Sequence, residues 1–114
     1  MKRDEDRPAT MSPAMFHVMV VLADEDRHGY AIMKEVAART DGSVQLTAST
    51  LYGIVKRLLA DGLIAETTAR AAQAGDDPRR RYYRLTPLGR RLAQAEANRI
   101  AQVLKLARAA LSQG

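Results

Sequence analysis

The chain has 114 residues, a formal net charge of +5, no cysteine, no tryptophan and a single phenylalanine. The absence of cysteine excludes disulfides and thiolate metal sites. No apolar run approaches the roughly 20 residues that span a bilayer, and charge fills MKRDEDRPAT where a signal peptide needs an apolar stretch, so we expect a soluble, cytoplasmic protein. This length suits about one domain, with a core of Leu, Ile, Val, Met and Ala packed between helices and with subunit association adding burial that aromatic side chains do not supply.

Residues 1–11 are mostly charged and lack periodicity, so they read as a disordered arm. Ser12 followed by Pro13 is a helix cap and a first-turn proline, and Met15, Phe16, Met19, Val20, Leu22 and Ala23 continue at helical spacing. The segment DEDRHG ends that helix. Gly29 opens a second one, Tyr30 to about Thr40, with Ile32, Met33, Val36 and Ala37 facing inward and Gly42 as its stop. Val44 and Leu46 alternate with polar neighbours, which predicts a very short strand joining a later hairpin.

Thr47 is the N-cap of a third helix, and Leu46 before it can staple onto Leu51. The helical wheel puts Leu51, Ile54, Val55, Leu58 and Leu59 inside, and Ser49, Tyr52, Gly53, Lys56, Arg57 and Ala60 outside. Gly62 closes it. Leu63 to Thr68 and Arg81 to Leu85 read as two antiparallel strands, the second with Tyr83 and Leu85 on the core face and Tyr82 and Arg84 opposite. The intervening loop ends in GDDPRRR and is too long for a tight turn. Thr86 and Pro87 repeat the cap-then-proline start of a helix running to about Leu111, roughly 40 Å at 1.5 Å per residue. Its seam of Leu92, Ala93, Ala97, Ile100, Val103, Leu104, Ala107 and Leu111 exceeds what a small domain covers, so a partner helix is expected.

From Thr47 to Arg91 there are nine basic residues against four acidic ones, a local excess of +5, and the remainder of the chain sums to zero. Charge focused on one helix and the hairpin after it is the electrostatic footprint of a nucleic-acid binder. The elements together describe a mainly α fold with a small β-hairpin: a winged helix-turn-helix over residues 12–86, then a dimerisation helix over 87–114.

HGYAIMKEV from His28, LTASTLYGIVKRLLADGLI from Leu46, and RRRYYRLTPLGRR from Arg79 together resemble the PadR family of bacterial transcriptional regulators over residues 28 to 91. The long last helix is similar to that of the compact branch, which has one C-terminal dimerisation helix. The resemblance implies a homodimeric repressor that binds double-stranded DNA at an inverted-repeat operator and releases it when a small-molecule effector binds. It carries recognition-helix roles to Ser49, Thr50, Tyr52, Lys56 and Arg57, and wing roles to Arg79, Arg80 and Arg81.

The chemistry of those positions fits DNA. Helix N-terminal amides and the hydroxyls of Thr47, Ser49 and Thr50 suit phosphate, Tyr52 can donate its hydroxyl to phosphate or pack on sugar, and Lys56 or Arg57 can reach base edges. Each has a competing structural role: capping for Ser49 and Thr50, packing against the wing for Tyr52, and an ion pair with Asp61 for Arg57. Gly53 departs from the family, whose members often carry a larger side chain at this outer-face position; it either admits DNA closely or has no role. The missing tryptophan departs from members that stack flat ligands. It leaves an aliphatic effector cleft between Phe16, Met19, Ile100 and Val103 of opposing subunits, against the alternative of a filled dimer core. Phe16, Leu92, Ile100, Val103, Leu104, Ala107 and Leu111 are the expected dimer residues.

An enzyme is not expected, nor any metal or cofactor. His17 and His28 lie in no nucleophile or ligand spacing, and Asp24, Glu25 and Asp26 lack the glycine and terminal glutamate of a calcium loop. The competing functional reading is a winged-helix interaction module that has lost DNA binding.

Overall fold

The computed structural model describes residues 11–68, 75 and 80–112. Its elements are α1 (Pro13–Ala23), β1 (Arg27–His28), α2 (Gly29–Arg39), α3 (Ala48–Ala60), β2 (Ile64–Thr67), β3 (Tyr82–Leu85) and α4 (Pro87–Leu111). The caps act locally. Ser12, Thr47 and Thr86 each accept a backbone N–H of the first turn, from Met15, Thr50 and Gly89 respectively, and Pro13 and Pro87 occupy positions whose missing N–H costs nothing. Gly42 and Gly62, at φ of 79° and 73°, take the left-handed conformation that ends α2 and α3.

Three helices and the sheet enclose one core. Val18, Met19, Ile32, Val36, Leu51 and Leu58 are fully buried there, and Leu63, Ile64, Tyr83 and Leu85 close it from the sheet side. Leu46 and Met11 pack on its rim, so ordered packing starts at Met11 within the stretch expected to be an arm. Residues 1–10 lie outside the described residues. Basic side chains tie off the end of α1: Arg27 Nε donates to the Val21 carbonyl at 2.8 Å and Arg90 Nη2 to the Ala23 carbonyl at 2.7 Å. Carbonyls of the last helical turn have no partner within their own helix, so these bonds fix both β1 and α4 to α1. Asp24 beside them bonds to Arg39 of α2 at 2.9 Å. That guanidinium, through its hydrogen bond, lowers the Asp24 carboxyl below its ordinary pKa.

The sheet departs from the expected hairpin. It has three antiparallel strands in the order β1-β3-β2, with Arg27 opposite Tyr83, His28 opposite Tyr82, and Ile64 opposite Leu85. The third strand is Arg27–His28, and Val44 and Leu46 form no strand; both pack half-buried against the core, and the Val44 N–H bonds to the Thr40 hydroxyl at 3.1 Å. The second strand also differs from expectation. Tyr82 is buried along with Tyr83, because β1 lies along the other side of β3 and the His28 ring meets Tyr82 edge-on at 5.2 Å.

The first turns of α4 are wedged into the domain. Thr86 donates its hydroxyl to the Gly62 carbonyl at 2.7 Å and its N–H to the Leu63 carbonyl at 3.1 Å. Gly89 is buried directly against Leu63, where a Cβ would overlap that carbonyl oxygen. Beyond Ala97 the helix leaves the body of the domain: Ile100, Val103, Leu104, Leu106 and Leu111 are all exposed, Leu111 at 78%. No helix among the described residues is long and apolar enough to cross a membrane.

Candidate nucleic-acid interface

The inner face of α3 is set by Leu51, Val55 and Leu58, all buried, with Ile54 and Leu59 half-buried beside them. With that face committed to the core, Ser49, Thr50, Tyr52, Gly53, Lys56 and Arg57 are turned to solvent together. Thr47 is the cap. Its Oγ1 accepts from the Thr50 N–H at 3.1 Å and lies 3.0 Å from the Thr50 hydroxyl, so these two hydroxyls also organise the first turn. Ser49 stands exposed next to them.

Arg57 forms the ion pair with Asp61, Nε to Oδ2 at 3.2 Å. Both partners are exposed, and a pair of this kind one helical turn apart contributes about 0.5 kcal/mol or less, which a phosphate can readily replace. Lys56 is exposed one position earlier. Gly53 has no heavy atom within 4 Å of the position a Cβ would take, so the surface above it is open.

Tyr52 does something the helical wheel did not indicate. Its ring leans towards the start of α2, where a Cβ on Gly29 would come within 3.2 Å of the hydroxyl oxygen. Gly29 is buried at this contact, and the missing side chain is what lets Tyr52 reach over α2. Tyr52, His28, Gly29, Tyr30, Arg80, Arg81 and Tyr83 line a cleft of about 530 Å³ between the two helices and the wing. Tyr52, for which packing against the wing is the competing role, is 55% exposed and lines this cleft together with the wing arginines.

On the wing side Arg80 and Arg81 are both exposed. Arg81 lies 3.5 Å from Glu66 across the hairpin, and Arg84 at the base of β3 pairs with Asp26 at 2.9 Å. Arg79 lies outside the described residues. Burial, with help from the Glu66 carboxylate, raises the Tyr83 phenol above its ordinary pKa, as expected for a ring held in the core with its polar end at the cleft.

His28 and Tyr30 join this site although sequence reasoning passed them over, placing His28 before a turn as a satisfied or solvent-facing side chain. His28 caps α2, its Nδ1 accepting from the Ala31 N–H at 3.2 Å, and its Nε2 lies 3.1 Å from Arg80 Nη1. Tyr30 is 63% exposed, with the Lys34 ammonium 5.5 Å from its ring centroid. The available signal was the position of His28 just before a helix start. It carried no indication of the wing 52 residues later.

Of the expected dimer residues, Ile100, Val103, Leu104 and Leu111 are exposed and Leu92, Ala107 and Phe16 are half-buried in the single chain. Met19 is fully buried inside the domain, so it does not line an effector cleft between subunits. Among the described residues no three His, Cys, Asp or Glu side chains cluster as metal ligands.

Comparison with known proteins bears on this arrangement. Residues 18–95 match the transcriptional regulator PadR-like family. A PadR family transcription regulator from hypervirulent Clostridium difficile shares 26% identity at a TM-score of 0.74, over 88% of this chain and 99% of that one. A transcriptional regulator from Clostridium thermocellum shares 26% identity at a TM-score of 0.71, over 83% and 86%. An uncharacterized protein from Lysinibacillus sphaericus is 34% identical over 73 residues, and the chain spans 64% of that relative's length.

Proposed function

Because the chain belongs to the PadR-like family of transcriptional regulators, whose members regulate transcription and are not enzymes, we propose that it acts as a homodimeric repressor on an inverted-repeat operator. The observation that carries the reading is the single surface formed by the outer face of α3 and the wing. Ser49, Tyr52, Lys56 and Arg57 stand on the helix, with Arg80 and Arg81 beside it. Ser49, Thr50 and Tyr52 position the helix on backbone phosphates, Lys56 and Arg57 reach base edges or phosphate, Gly53 admits the duplex closely, and the wing arginines hold the flanking backbone. The match to the family's basic wing gives Arg79 the same role.

The apolar outer half of α4 supports the dimer. Ile100, Val103, Leu104, Ala107 and Leu111, with Leu92 and Phe16 nearer the domain, would be buried by the same residues of a second copy, as an isologous interface requires. A two-fold pairing of this sort sets two α3 helices into successive major grooves with half-site centres about 34 to 36 Å apart. Release by a small-molecule effector belongs to the same reading and would act by shifting the spacing of the two α3 helices away from one helical turn.

The test is fluorescence anisotropy on DNA from upstream of the protein's own gene, with scrambled competitor, over a salt series. Selective binding with log affinity falling linearly in log salt is expected, and Lys56→Ala, which removes one phosphate contact from each subunit, should weaken binding by at least about tenfold and reduce the slope by about 1.8. Absent or salt-insensitive binding by folded, dimeric protein would replace this reading with an interaction module.

A further inference from the structure

The lysines and arginines of α2 and α3 divide into two kinds. Arg39 of α2 is held by Glu35 at 2.8 Å and by Asp24 at 2.9 Å, and Arg57 of α3 by Asp61 at 3.2 Å. Lys34 and Lys56, one on each helix, are exposed and make no ion pair among the described residues. Lys56 stands on the outer face of α3. Lys34 is fixed in another way: its ammonium lies 5.5 Å from the centroid of the Tyr30 ring one helical turn earlier, so the ring face takes up one side of a group that has three donors. Tyr30 is itself 63% exposed and lines the cleft together with Tyr52 and the wing residue Arg81. Its ring therefore confines a positive charge beside the wall of that cleft, where the flexible four-carbon stem of a free lysine would let the charge wander.

We infer that Lys34 binds a backbone phosphate of the bound duplex and that Tyr30 is the positioning residue that holds its ammonium for that contact. The proposal rests on the DNA-binding reading above and extends the interface from α3 and the wing onto α2. When the second helix of a helix-turn-helix lies in the major groove, the first crosses the sugar-phosphate backbone beside it. The outer edge of α2 supplies the cation such a crossing needs. Tyr30, Lys34 and Ala38 follow one another along it at one-turn spacing, all exposed, and Glu35, the acid next to Lys34, is engaged by Arg39 at 2.8 Å and lies 3.8 Å from Arg27. Phosphate carries no sequence information, so Lys34 sets affinity and docking angle while α3 sets selectivity.

The experiment compares wild type, Lys34→Gln, Tyr30→Phe, Tyr30→Leu and the double variant of Lys34→Gln with Tyr30→Leu, on a labelled duplex from upstream of the protein's own gene and on a scrambled one, over a salt series. Both positions are exposed, so the Tm should hold in every variant. Lys34→Gln should weaken both duplexes by at least about tenfold and lower the salt slope by about 1.8, because the dimer loses one phosphate contact from each subunit. Tyr30→Phe keeps the ring and should bind within about twofold of wild type. Tyr30→Leu removes the ring but leaves the charge, and should weaken both duplexes by about fivefold with the slope kept. In the Lys34→Gln background the same change should cost less than about twofold, since the ring acts through the ammonium. A Lys34→Gln slope equal to that of wild type, while Lys56→Ala still lowers it, would overturn the phosphate contact and leave DNA binding by α3 intact. A full Tyr30→Leu loss in the Lys34→Gln background, or a Tyr30→Phe loss as large as that of Tyr30→Leu, would overturn the positioning role. Wild type that binds neither duplex would bring down the DNA-binding reading, and this contact with it.

Discussion

Two helices of this protein leave one face uncovered, and they do so with opposite chemistry. The outer face of α3 shows hydroxyls, a tyrosine, a glycine and two cations, whereas the outer half of α4 shows isoleucine, valine and leucines. Water solvates the first without penalty, so it can stand open until a polyanion arrives. The second has a standing hydrophobic drive, about 25 cal/mol for each Å² of apolar surface removed from water. One face is therefore suited to reversible, salt-sensitive contact and the other to lasting association. The difference teaches that exposure alone does not define a site; what decides is the kind of partner that would lower the free energy of the exposed atoms.

The harshest way to break this contrast is at the joint between the two helices. Gly89→Ala forces a methyl group into the Leu63 carbonyl and close to a Leu85 methyl, and neither the carbonyl nor the helix can yield cheaply. We expect a loss of about 3 kcal/mol, read as a drop in the denaturant midpoint, because the obstacle is backbone. A midpoint like that of the wild type would mean that α4 can slide along β2, and that its direction is not set at this wedge.

The association half of the contrast is tested further along α4. Leu104→Glu places a carboxylate twice in a two-fold seam, and sedimentation should show the dimer weakened by about 100-fold with helix content unchanged. A variant that stays dimeric would show that the apolar face of α4 is not the interface. The DNA face offers a smaller and more selective test. With open space around it, Gly53→Ala should raise stability by about 1 kcal/mol through helix propensity alone. The same methyl should lower operator affinity if DNA approaches the helix there, and unchanged affinity would remove Gly53 from the interface.

Much of the architecture was legible in the chain because its signals act within one turn of where they stand. Ser12 with Pro13, Thr47, and Thr86 with Pro87 each announced a helix start, and Gly42 and Gly62 announced ends, because a cap bonds an amide three residues away. The inner stripe of α3 was equally readable, as a period near 3.6 sorts side chains before any tertiary contact forms. Failures came where the partner is remote. Val44 and Leu46 had the alternation of a strand but found no edge to pair with, while Arg27 and His28, too short a run to show any pattern, found β3.

By itself the sequence determined where the helices begin and end, which faces they bury, where the positive charge is concentrated, and that the last helix is too long and too apolar for its own domain. Only the tertiary structure decided that Tyr82 is buried, that Met19 belongs to the core and not to a subunit cleft, and that Tyr52, His28 and Arg80 line one cleft. The physical reason is range. Caps, periodicity and propensity are written within a few residues, whereas the meeting of His28 with Arg80 spans 52 residues and depends on β1 pairing with β3, which no local pattern encodes.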